Sequence, residues 1–378
     1  MKVFWGEKFL FHACIKAISL LLMGMSVEAV LFFNSVYANP VSSLYDDILT
    51  KRGIEVLLGS LEEEVHPHLK YLNEGRHRLL QPGKFYAVLV NGGFNLYDNH
   101  FRFWNNLSWM YTTLRSLQVP ASQIFVFNAD GADAEVDMVY KRVTRSHQIV
   151  VGPSVTGVMS SKRYRSGPVY LEEASLQVSS PIDLDLDGQS DVRGAAVQEE
   201  MKPVFSQFSN LSGEDTLFVF VTDHGQRCGE HSQICLWKGE HLLDQELALW
   251  LKSIPAQKVI WLQTCYGGGF IDDLLDERTL VISAAAADKT SLACDSECQG
   301  IGSYDEFAYH GISALRGFTP EGMEAQADFN EDQQLSWKEV FDYAIQANSL
   351  RNDQDQLLEN PQLAEGKKGL VDIAMVQK

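Results

Sequence analysis

Two side chains in this sequence could do covalent chemistry together. His224 ends the run Thr222-Asp223-His224-Gly225, and Cys265 follows Gln263-Thr264, with Tyr266 and the glycines Gly267, Gly268 and Gly269 directly behind it. A thiol attacks a carbonyl once a base takes its proton or a cation stabilises its thiolate, and an imidazole can do either. Glycines beside the thiol let main chain approach a ligand closely. Their N–H groups can hold the oxyanion that attack creates. Taken singly, each residue also fits a plainer role, the cysteine as core filling and the histidine as a structural side chain. Their shared placement, each closing a continuous apolar run, favours chemistry.

The elements that must position them are legible. The two runs are 217–222 and 258–263, and three more of the same character lie at 85–90, 124–128 and 279–284. Continuous rather than alternating apolar runs suit a parallel sheet covered on both faces. Helical patterns at 101–117, 195–208, 245–253 and 271–275 alternate with the runs, so an α/β domain is expected. In such a sheet ligands bind beyond the C-terminal strand ends. There stand Asn91-Gly92-Gly93, Asp130-Gly131, His224 and Cys265. The interval 132–212 is rich in Ser, Gly and charge and reads as a small hairpin with exposed loops. Tyr86, Phe101, Trp104 and Trp109 read as core.

The motifs Thr222-Asp223-His224-Gly225 and Gln263-Thr264-Cys265-Tyr266-Gly267-Gly268-Gly269-Phe270, in that order and each ending a strand, resemble those of the legumain-type cysteine peptidases, bacterial-type members above all. The resemblance runs from about residue 85 to 343 and includes Tyr304-Asp305-Glu306. It implies the caspase-like fold over 85–347, a three-layer α/β sandwich of a mostly parallel sheet with helices on both faces. It implies an endopeptidase that cleaves proteins or peptides through a thioester acyl-enzyme, without a catalytic metal. Cys265 would be the nucleophile, His224 its base or ion-pair partner, and the Gly225 and Cys265 N–H groups the oxyanion hole. Asp98, Asn99 and His100 occupy the segment in which such enzymes carry a group that orients the histidine. The sequence departs from the pattern at Gln263, where a Glu is usual in the specificity pocket. It departs again at His100, which stands with Arg102 nearby where an arginine is expected, and at Gly267, where a serine is common. Asn99, His100, Arg102, Gln263 and Asp223 are therefore the candidate substrate-binding residues. The same dyad could serve a ligase, with an amine resolving the acyl-enzyme. The fold could also persist as an inactive, calcium-dependent binding protein.

Calcium enters through two acidic loops. Asp328, Asn330, Asp332, Gln334 (by its carbonyl), Ser336 and Glu339 place oxygens at the ligand positions of an EF-hand loop over 328–339, with Gln333 where a glycine usually turns. Ser336 and Glu339 also form a capping box ahead of a helix over 337–347. Asp183, Asp185, Asp187, Gln189 and Asp191 repeat the spacing and keep Gly188, but Gly194 replaces the bidentate Glu, and a solvated acidic turn is the other reading. A structural calcium is the expected cofactor.

Lys2, Lys8 and Lys16 precede an apolar run at 17–25 that resumes at 29–33, and Val36 and Ala38 fit a signal-peptidase site after Ala38. Residues 1–38 read as a signal peptide, 39–84 as a helical lead-in and 348–378 as a polar tail. Glu28 argues against a membrane anchor. An exported protein, periplasmic or secreted, with no stable membrane insertion after signal removal, is expected. The chain has six cysteines, and removing Cys14 leaves an odd number. Pairing Cys228 with Cys235 and Cys294 with Cys298 leaves Cys265 free; a four-cysteine zinc site is the rival, but its spacings fit poorly. A net charge of -19 over 378 residues argues against a nucleic-acid partner.

Overall fold

The computed structural model describes residues 78–80, 83–133, 135–146, 158–166, 169–294 and 304–377. The strands are β1 Arg78–Leu79, β2 Phe85–Asn91, β3 Ile124–Asn128, β4 Met138–Ser146, β5 Val158–Ser166, β6 Val169–Val178, β7 Val192–Gly194, β8 Thr216–Thr222, β9 Gly225–Cys228, β10 His231–Cys235, β11 His241–Leu243, β12 Gln257–Gln263, β13 Thr279–Ser283, β14 Gln334–Ser336, β15 Gln362–Glu365 and β16 Ala374–Gln377. The α-helices are α1 Phe101–Ser116, α2 Gln198–Gln207, α3 Asp244–Leu251, α4 Ile271–Leu274, α5 Glu306–Arg316 and α6 Trp337–Ala347.

The chain divides into two units, Met1–Val65 with Arg142–Leu176, and His66–Lys141 with Gln177–Lys378. In the first, β5 and β6 form the antiparallel hairpin anticipated in the 132–212 interval. The second is built on a seven-stranded sheet of order β15-β13-β12-β8-β2-β3-β7. All its pairings are parallel except that of β15. Every residue of β8 is buried, because alternate side chains feed opposite layers. Leu217, Val219 and Val221 pack with Phe205, Leu247, Trp250 and Leu274 of α2, α3 and α4. On the other face Phe218 stacks on Trp337 of α6, and Trp261 of β12 meets Phe307 of α5. Helices cover both faces, the three-layer sandwich that the apolar runs require.

Two boundaries differ from expectation. The polar tail is structural: β15 pairs with β13 along Ser283↔Gln362 to Leu280↔Glu365, and β16 pairs with both β1 and β14. An edge strand is solvated on one side, so it shows no continuous apolar run. At the other end, Arg78–Leu79 of the supposed helical lead-in is a strand. The signal peptide and the rest of that lead-in lie outside the described residues, apart from 80 and 83–84. Among the described residues no helix is long and apolar enough to cross a membrane.

Candidate active site

β8 and β12 are parallel neighbours with Thr222 opposite Gln263. The residues that follow, Asp223-His224 and Thr264-Cys265, therefore leave the sheet side by side at its C-terminal edge, and the Asp223 N–H still donates to the Gln263 carbonyl at 3.2 Å. The two strand ends touch at Gly225, where a Cβ would lie 2.0 Å from the Cys265 carbonyl oxygen. Only glycine fits that contact. Gly225→Ala is expected to push the strand ends apart and lower turnover about 100-fold, read as kcat on a peptide substrate, since misplacing reacting groups by an ångström costs that much.

His224 is half-buried. Its Nε2 lies 2.9 Å from the main-chain oxygen of Asp98. A carbonyl can only accept, so Nε2 carries the hydrogen and the neutral ring keeps its lone pair on Nδ1. Phe103 presents a perpendicular ring at 4.9 Å and His100 a second edge contact at 5.3 Å. Burial pulls the His224 pKa down, and the Asp98 carbonyl opposes the fall. Of Asp98, Asn99 and His100, Asp98 is the one hydrogen-bonded to the ring, through main chain, which leaves no side-chain signature in a sequence.

Cys265 places Sγ 3.8 Å from the Ser291 carbonyl oxygen. Burial pushes its thiol up, opposed by the main chain of Ser291 and Gly225. The next residue, Tyr266, sits in the left-handed region at φ 58°, ψ 17° and starts the turn Gly267–Phe270. That conformation costs a non-glycine residue on the order of 1 kcal/mol, a cost typical of functional turns.

The candidate substrate residues separate. Asp223 does not face a substrate. It is buried, and its carboxylate accepts from the Gly92, Gly93 and His224 N–H groups at 2.7, 3.0 and 2.6 Å. It ties the end of β2 to the end of β8; burial pushes its carboxyl up while these donors oppose. Asn99 is also fully buried, accepting from Asn91 and donating to the Asp137 carbonyl. Both are corrections: polar residues at a strand mouth are turned inward to satisfy loop main chain. Gln263 is buried and donates from Nε2 to Ser291 Oγ at 2.7 Å. Arg102 remains partly exposed, donating to Asp305 at 2.8 Å with its guanidinium 4.4 Å over the Phe103 ring. Asp305 is buried and also accepts from Asn106, which in turn reaches Thr222 Oγ1. Asp305, Ser291 and Asn106 were not among the candidates. Only Asp305 had a signal, in the Tyr304-Asp305-Glu306 block.

Cys228 and Cys235 are both free thiols, against the expected pairing. They are near in sequence but occupy opposite ends of a hairpin: Cys228 faces His231 at the tip, while Cys235 lies past Ile234, the partner of Gly225. Four residue steps of strand, roughly 13 Å, separate them, beyond disulfide reach. Cys294 is disulfide-bonded; Cys298 lies outside the described residues.

The two acidic loops share one hydrogen-bond pattern. Asp183 accepts from the Asp187 and Gly188 N–H groups, and Asp328 from those of Asp332 and Gln333. Asp187 and Asp332 each accept from the N–H two residues on, at Gln189 and Gln334. Gly188 and Gln333 both take positive φ, 88° and 63°. Asp183, Asp185 and Asp187 bring carboxylate oxygens within 4.8 Å of one another. Asp185 also pairs with Arg115, and Asp191 accepts from Tyr111. Asn330 Oδ1 accepts from Asp332. Ser336 and Glu339 form the capping box, with Glu339 Oε2 accepting from Ser336. A third group, His231, Asp244 and Asp273, also converges and had not been singled out.

The mostly parallel seven-stranded sheet with helices on both faces is consistent with the caspase-like fold. Residues 200–320 match the model of the Peptidase C13 family, the legumain family, whose members are hydrolases of the cysteine peptidase kind. The match contains both strand ends and the Ser291 loop. None of the curated proteins matches the chain.

Proposed function

We propose that the protein is an exported, legumain-like cysteine endopeptidase that uses Cys265 as nucleophile and His224 as general base. The observation that carries the reading is the parallel register of β8 and β12, which sets these residues side by side across the Gly225 contact. His224 Nδ1 takes the thiol proton as sulfur bonds to the peptide carbonyl carbon. The Gly225 and Cys265 N–H groups receive the oxyanion. The C–N bond breaks as His224 returns the proton to the departing amine, leaving a thioester. Water, losing a proton to His224, then adds to the thioester, and the carboxylic acid leaves as the sulfur regains its proton. His100, Arg102 and the Gln263–Ser291 pair would line the pocket for the substrate residue; the charge of Arg102 is felt at both His224 and Cys265. The test is cleavage of a mixed peptide library by the processed protein, beginning at Asn39, read by mass spectrometry. Hydrolysis adds water to the products and ligation does not, so the masses separate the two outcomes.

The acidic loops would hold calcium structurally, their shared turn geometry aiming oxygens inward. Titration calorimetry with calcium is expected to give binding heat that Asp183→Asn and Asp328→Asn each reduce. No heat up to millimolar calcium would remove the idea.

A further inference from the structure

The carbonyl that meets the thiol and the N–H of Leu292 are two ends of one planar peptide group. Whatever holds one end aims the other. Leu292 N–H donates to Glu359 Oε1 at 2.6 Å, and Ser291 Oγ donates to the same oxygen at 3.1 Å. Glu359 Oε2 accepts from Asn348 Nδ2 at 3.1 Å, and its main-chain oxygen accepts from Ala286 N–H at 3.0 Å. The residue is fully buried. It stands in the tail, outside the family match at 200–320. Ser291 Oγ also accepts from Gln263 Nε2, so a single carboxylate braces both the carbonyl beside the nucleophile and a residue of the pocket. Burial pushes the Glu359 carboxyl up to about 8, Asp305 adds to the rise, and the donors of Leu292, Asn348 and Ser291 oppose it.

We infer that Glu359 is a positioning residue, clamping the Ser291–Leu292 peptide so that its carbonyl parks the Cys265 thiol. The inference rests on Cys265 being the nucleophile proposed above. Alkylation by iodoacetamide, mapped by mass spectrometry, tests it within one molecule: exposed Cys228 is the internal reference and buried Cys235 reports opening of the fold. Glu359→Asp, which withdraws the carboxylate by a methylene, and Glu359→Ala are expected to raise Cys265 alkylation relative to Cys228, because a sulfur no longer parked against the Ser291 carbonyl is free to meet the reagent. Peptide cleavage is expected to fall about tenfold at the same time, since the sulfur is no longer held in one place. Glu359→Gln keeps length and an acceptor for Leu292 and should stay close to wild type. An unchanged Cys265-to-Cys228 ratio in Glu359→Asp, with Cys235 protected, overturns the clamp. The Asp variant decides the matter if the Ala variant opens Cys235. If the wild type cleaves no peptide but the ratio shifts, the peptidase reading fails and the clamp stands. If the wild type cleaves and neither measurement moves, the reverse holds.

Discussion

Cys265→Ala is expected to abolish peptide cleavage and to leave the folded protein nearly as stable as the wild type. As the proposed nucleophile, Cys265 would form the acyl-enzyme bond itself, and nothing in the site would substitute for it. A loss of at least about 1000-fold in kcat is expected. The stability cost should be below about 1 kcal/mol, because the thiol is half-buried and makes one long contact to Ser291. Cleavage assays beside thermal denaturation separate the two quantities. Wild-type turnover in the variant would mean that another group does the chemistry.

The second large effect is set by the protonation of the pair. Burial lowers the His224 pKa and raises that of Cys265. Both shifts favour the neutral imidazole and the neutral thiol, so under the proposed function His224 would act as a base during attack. A depressed pKa keeps the imidazole neutral as pH falls past the ordinary value of about 6.5. The acid limb of kcat/KM is therefore expected below that value. The raised thiol pKa keeps a proton on sulfur through the neutral range, so alkylation of Cys265 should be slow near neutrality. His224→Asn should cost about 100- to 10000-fold in kcat/KM, the range for a lost general base. An acid limb above about 6.5, or rapid alkylation near pH 5, would instead indicate a preformed ion pair.

The fold was legible where burial is two-sided. The runs at 85–90, 124–128, 217–222, 258–263 and 279–284 correspond to β2, β3, β8, β12 and β13, because a strand covered on both faces carries apolar residues without alternation. α6 matched its capping box at Ser336 and Glu339. The tail was not legible: Gln362–Glu365 is half-exposed throughout, and such a strand resembles a loop in sequence. In the site, side-chain type and strand position singled out His224 and Cys265. The Asp98 carbonyl was invisible because every residue has one. Asp223 and Asn99 were misassigned because sequence gives a polar side chain's position but not whether it points to a ligand or to its own loop. Cys228 and Cys235 misled for a related reason, since proximity along a hairpin is not proximity across it. Glu359 is far from Cys265 in the chain and meets its loop just ahead of β15, which pairs with β13.

β15 has a further meaning for the protein in solution. A parallel sheet ending in β13 would present a largely apolar strand with its hydrogen-bonding groups bare, a template on which a second molecule could grow. The chain covers that edge with its own Gln362–Glu365, which runs antiparallel and is half-exposed throughout. At the opposite margin β7 is only three residues long and includes Arg193. Both margins are blunted by the same molecule that builds them, a safeguard against intermolecular strand addition.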